Sequence, residues 1–207
     1  MSNIYVDNIY EKTTGNGIRF QDDTIRSGAV IHNGSYYAGS SSSAEIETTS
    51  TSWITVNIGG SGNRGLNVNE SGNVLTFEKK HNNSVIEMDW CCPYYFQGGG
   101  NDSGFGIRGR CYKPSGTVHH LDASNNAGFA DGWGVGGYGG DNQTGVVNWT
   151  WSTYHKESAN TDLVGYTGLV SFYLECRVWS SANTLHLGWY NSTYPKDQLF
   201  YFREIAL

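Results

Sequence analysis

The sequence predicts an all-β protein, an antiparallel β-sandwich of jelly-roll type carried on an extended N-terminal arm. The first sign is the period-two pattern of LVSFYLECRVW. Val170, Phe172, Leu174, Cys176 and Val178 fall on one face, and Ser171, Tyr173, Glu175, Arg177 and Trp179 on the other. The second is composition: charged residues make up 15% of the 207-residue chain and aromatics 14%, with 28 glycines and 3 prolines. Average proteins carry roughly 25% charge, and the surface of a helical bundle needs those Lys, Glu and Arg residues. The third is punctuation, since Gly, Asn, Asp and Ser break the chain into short runs at the spacing of sandwiches and barrels. The nearest helical candidate, LVGYTGL, is interrupted by two glycines.

The opening MSNIYVDNIYEKTTGNGIRFQDDT is polar and turn-rich, and its apolar residues Ile4, Val6, Ile9 and Phe20 are too sparse to build a core. Such a segment gains order by packing on copies of itself or on a larger partner, so these four are candidate interface residues. Ser40 to Ser43 form a Ser run of flexible-linker chemistry. The expected boundary falls near residue 50, with an arm over 1–50 and a head over 51–207. WITVNI then places Ile54, Val56 and Ile58 opposite Trp53, Thr55 and Asn57. SVIEMDW aligns Ile86, Met88 and Trp90, GFGIRGRCY aligns Phe105, Ile107 and Cys111, and VVNWTW groups Val147, Trp149 and Trp151. TLHLGWY sets Leu185, Leu187 and Trp189 together, and LFYFREIAL closes the chain as a strand. About eight to ten strands are expected. Tyr201, Phe202 and Ile205 should tie the last one into a sheet, so that truncating it unfolds or aggregates the head.

Several function classes are disfavoured. A formal charge of −6 gives no electrostatic footprint for nucleic acid, and no apolar run approaches the roughly 18 residues of a membrane helix. There is no G-x-S-x-G elbow, H-E-x-x-H or P-loop. Glu87 and Asp89 share a strand face about 6–7 Å apart by strand rise. That spacing suits paired carboxylates, but it equally suits two outward charges on a solvated strand. The expectation is no enzyme, no cofactor and no metal. His119 and His120 are adjacent and point apart on a strand, and Gly139 to Asn142 is ordinary turn chemistry that could also hold a cation. Of the four cysteines, Cys91 and Cys92 face opposite ways on a strand, while Cys111 and Cys176 lie on apolar registers. Reduced, buried thiols are expected. Seven N-x-[ST] matches follow from an Asn-, Ser- and Thr-rich composition.

The distinctive stretch is AGFADGWGVGGYGGDNQTG, residues 127–145. Its glycines free the backbone, and Phe129, Trp133 and Tyr138 alternate with Asp131, Asp141 and Asn142. Rings flanked by Asn and Asp are what sugar recognition uses, by stacking on the ring plane and hydrogen-bonding to hydroxyls. Tyr190 and Tyr194, before the last strand, form a second such group. Two readings stay open here: glycan contact, or aromatic loops that cap the end of the sandwich. Tyr173, Arg177 and Trp179 raise a parallel choice, because large aromatics and Arg on an outer face mark subunit interfaces or a face buried within the monomer.

The stretch IYVDNI, the following Thr/Gly turn and the later GIRF resemble the opening of small structural and tail-fibre proteins of tailed phages, particularly marine ones, over about the first 25 residues. The resemblance implies a virion protein assembled in the host cytoplasm. It implies residues 1–50 docked to other virion proteins, homotrimerisation, and a head that contacts a host surface polysaccharide. A capsid or head-fibre decoration protein without receptor binding is the alternative, and a lectin or polysaccharide-active domain is a third.

Overall fold

The computed structural model describes residues 27–38, 46–58, 67–98, 104–116, 118–120, 122–123, 143–153, 163, 165–188 and 198–207. Among these residues there are thirteen strands and no helix, so the chain is all-β as expected. The first seven strands are β1 (Val30–Ala38), β2 (Ile46–Thr48), β3 (Ile54–Thr55), β4 (Val68–Ser71), β5 (Val74–Lys79), β6 (Ser84–Gln97) and β7 (Phe105–Tyr112). They are followed by β8 (His119–His120), β9 (Asp122–Ala123), β10 (Gln143–Ser152), β11 (Gly168–Val178), β12 (Thr184–Leu187) and β13 (Gln198–Ala206). The count exceeds the expected eight to ten because β1 and β2 fall within the expected arm, and β8 and β9 are two-residue pairings too short to leave a periodic signal.

Two antiparallel sheets share one plan, each built on a long central strand. In the first, β6 pairs with β10 along residues 87–96, and its other side is shared end to end by β13 and β12. β1, β2 and β9 extend that sheet beside β13, β12 and β10. In the second, β11 pairs with β7 over residues 171–178, and β5 and β3 divide its opposite side. β4 and β8 form the borders. The β4–β5 hairpin turns on Gly72 at φ +61°, a conformation Gly adopts at little cost.

The inner faces meet in one core. Val170, Phe172, Leu174, Cys176 and Val178 are all buried, as their alternation predicts. Phe202 of β13 packs on Phe172 of β11 at 5.0 Å and on Phe77 of β5 at 5.5 Å, which joins the two sheets. Trp90 and Trp151 meet at 6.0 Å. Each such side chain contributes about 1.5–3 kcal/mol when fully buried. The C-terminal strand lies between β1 and β6, which accounts for the expected cost of removing it.

β1 and β2 lie N-terminal of residue 50, yet both belong to the first sheet. β1 pairs with β13 across residues 30–38, burying Tyr36 and Ala38, and β2 buries Ile46 and Thr48 against β12. The Tyr36 hydroxyl donates to the Ile58 carbonyl at 3.1 Å, tying β1 to the segment after β3. Four inward side chains are too few to signal a core in the sequence, but β13 and β12 supply the partners. The sheet therefore begins at Val30. The Ser run lies outside the described residues, as does 1–26.

One buried polar knot also joins the sheets. Glu204 is fully buried and accepts from the Lys80 N–H (2.7 Å), the His81 N–H (2.8 Å) and the Ser84 hydroxyl (2.5 Å). His32 Nδ1 lies 2.8 Å from the same carboxylate, and its ring stacks on Phe77. Burial alone would raise the Glu204 pKa, but these bonds outweigh it and hold the group below the usual carboxylate range. Lys79, also buried, donates to the carbonyls of His81, Asn82 and Tyr166. Burial lowers its pKa, and Glu204 acts in the opposite sense.

Candidate functional site

The glycan-contact candidates Phe129, Asp131, Trp133, Tyr138, Asp141, Asn142, Tyr190 and Tyr194 lie outside the described residues, as do the interface candidates Ile4, Val6, Ile9 and Phe20. Tyr173, Arg177 and Trp179 are described, and all three lie on the outer face of the second sheet. The molecule thus offers two outer faces to compare.

On the second sheet, register sets Glu175 of β11 beside Arg108 of β7, Tyr173 beside Arg110, and Arg177 beside Gly106. Trp53, just ahead of β3, reaches across to Gly106, where an added Cβ would come within 3.0 Å of its ring. Its indole lies against two guanidinium groups, Arg108 at 4.2 Å and Arg177 at 4.5 Å. Trp179 covers Gly104 even more closely. Arg108 Nε and Arg110 Nε both donate to Glu175 Oε2, at 2.6 and 3.0 Å. Burial pushes the Glu175 pKa up, but the two arginines outweigh it and leave the group below the ordinary carboxylate value. Burial, reinforced by Glu175, raises the Tyr173 phenol. Arg108 and Arg110 are only 14% and 13% exposed. These large polar side chains are spent on one another.

The outer face of the first sheet differs. Register across β10, β6 and β13 lines up Asn148, Cys91 and Leu199 in one row and Thr150, Asp89 and Tyr201 in the next. These six chiefly line a shallow depression of about 250 Å³. Leu199 is 44% exposed, and Val146 on the same face is 55% exposed. Asp89 is held from both sides, by the Thr150 hydroxyl at 2.6 Å and by Arg203 Nη2 at 2.9 Å. Arg203 also reaches Glu87 at 3.2 Å. The two carboxylates therefore share one guanidinium, which leaves one negative charge in excess among these three groups. The Arg203 guanidinium also lies 5.9 Å from the Tyr201 ring.

Sequence reasoning placed Glu87 and Asp89 outward but did not mark Cys91, Asn148, Thr150, Leu199 or Tyr201 as site residues. Their outward registers are legible in VVNWTW and LFYFREIAL. That three distant segments adjoin is not, because it depends on strand order. Among the described residues no group of His, Cys, Asp and Glu could hold a metal. All four thiols are free: Cys92, Cys111 and Cys176 are buried, and Cys91 is partly buried. Burial raises the pKa of Cys92, and with help from Glu175 it raises that of Cys176 to about 12.

No protein-family model matches the chain, and no curated protein matches it in sequence. Solved structures of infectious bursal disease virus are similar to it in part. The Gx strain gives a TM-score of 0.32 at 10% identity over 86% of this chain and 38% of that one. The VP2 subviral particle gives 0.34 at 8%, over 86% and 39%. The Gt strain gives 0.34 at 9%, over 86% and 39%. The chain spans less than two fifths of the length of these viral chains. A likeness at this level carries no functional argument.

Proposed function

We propose that this chain is a structural component of a virion. In this reading it is a short tail fibre or spike, with the β-sandwich as its head. The stretch ahead of β1 docks to the particle, three copies assemble, and the head contacts the host surface without catalysis. The observation that carries the reading is the contrast between the outer faces. Among the described residues, the second sheet's face is occupied by its own Arg, Trp and Glu side chains, whereas the first sheet's face is left open around a depression. A head that presents one open face suits a contact role. The phage-like opening over residues 1–25 supports the virion setting, and the tie of Glu87 and Asp89 to Arg203 supports a non-catalytic one.

Purified protein should bind susceptible host cells, and antibody against it should label the tail in imaged virions. Label on the capsid together with no cell binding would replace this reading with the decoration role. Light scattering at micromolar concentration should give the mass of a trimer, and a monomer mass would remove the trimeric part.

A further inference from the structure

We infer that the outer face of the first sheet, around Asp89, Asn148, Thr150 and Tyr201, is a binding site for a neutral, hydroxyl-rich polysaccharide. The inference rests on the fibre-head reading and names a ligand class and the residues that meet it.

The chemistry favours a sugar chain over other occupants. Ligand sites combine apolar surface with a few placed polar groups, and here Leu199 and the Tyr201 ring lie beside Asp89, Asn148 and Thr150. Asp89 is fixed in orientation by Thr150 and Arg203, so an incoming hydroxyl meets a preset acceptor. An ionised carboxylate retains acceptor sites beyond those two bonds, and Asn148 offers both a donor and an acceptor. Leu199, which is exposed, and the partly buried Tyr201 ring with the Arg203 guanidinium over it supply the apolar surface a sugar would meet. Charge selects among glycans. Glu87 and Asp89 face the single Arg203, so this face is slightly acidic within a chain of formal charge −6. Sulfated or uronate-rich chains and nucleic acid would be repelled there. The shape agrees, because a depression of about 250 Å³ lies below the roughly 300–1,000 Å³ of enclosed ligand pockets. It fits a short stretch of a longer chain.

The test uses the full-length protein on immobilised bacterial O-antigen, capsular and exopolysaccharides, both neutral and acidic, alongside binding to susceptible cells. Wild type should retain at least one neutral polysaccharide. Asn148→Ala, Tyr201→Ala and Asp89→Asn should each weaken it by about tenfold, the scale of one or two lost contacts. Leu169→Ala, on the exposed face of the other sheet, should leave binding unchanged. Cys91 supplies a second readout that needs no variant. It is only partly buried while the other three thiols are buried, so the retained polysaccharide should slow its labelling by a maleimide. Retention that survives all three substitutions with Cys91 unprotected overturns the site and leaves the fibre head standing. Cell binding with no polysaccharide retained overturns the sugar chemistry alone. Failure to bind cells at all overturns the adsorption reading and this site with it.

Discussion

The two outer faces of the sandwich are built from antiparallel strands of the same alternation, yet they end in opposite states. On the second sheet Trp53 lies against Arg108 and Arg177, and Glu175 collects Arg108 and Arg110. On the first, Leu199 and Val146 stay exposed beside an Asp89–Arg203 pair whose side chains are 35% and 33% exposed. The face with more aromatic and guanidinium surface is thus the less accessible one. Residue type announces the capacity to bind; the register partner decides whether that capacity is already used.

Removing the centre of the covered face should cost most. Trp53→Ala strips the indole from both guanidinium groups and uncovers Gly106. A loss of ~2–3 kcal/mol is expected, a little below that of a core Trp→Ala. Calorimetry should show Tm falling by roughly 4–12 °C for a chain of this size. A fall under about 2 °C would mean the face is not held together by that ring. Gly104→Ala is next, because an added Cβ would run into Trp179 Cε3 and the indole must move. Overpacking of this kind costs about 1–3 kcal/mol, visible as a lower urea midpoint and altered Trp fluorescence.

Glu175→Gln removes the charge that two arginines share, at about 1–2 kcal/mol. Its sign with pH is fixed by the depressed pKa of Glu175. The stabilisation is present above the unfolded carboxylate value of about 4.3 and is lost as pH falls toward the folded one. The gap between wild type and Glu175→Gln in urea should therefore be full at pH 7 and close on acidification. A gap that widens in acid would contradict the assignment. The smallest effects belong to the open face. Asn148→Ala should change stability by within about 0.5 kcal/mol, as surface substitutions do. A larger loss would show that this face, too, is structural.

Much of this was legible in the alternation. The inward set of β11 was readable residue by residue, as was the division of Trp53 from Ile54. The closing strand was equally plain in LFYFREIAL. The membership of β1 in the first sheet was not, because Tyr36 and Ala38 are isolated apolar residues whose burial depends on β13, more than 150 positions away in the chain. Lys79 and Glu204 carried a signal that went unread. Each continues the buried register of its strand, after Leu75 and Phe77 and after Phe200 and Phe202, so opposite charges on two apolar registers pointed to a buried polar knot. The depression was the least visible feature. It is assembled from three strands, and only their order makes Asn148, Cys91 and Leu199 neighbours.

The central claim is that contact is made through the first sheet's face and not the second's. Leu199→Arg and Leu169→Arg place the same bulky charge on side chains of similar exposure, 44% and 48%, on opposite sheets. Adsorption of each purified variant to susceptible cells compares the faces directly. Leu199→Arg should abolish binding and Leu169→Arg should retain it. Retained binding by Leu199→Arg, with loss in Leu169→Arg, would contradict the account.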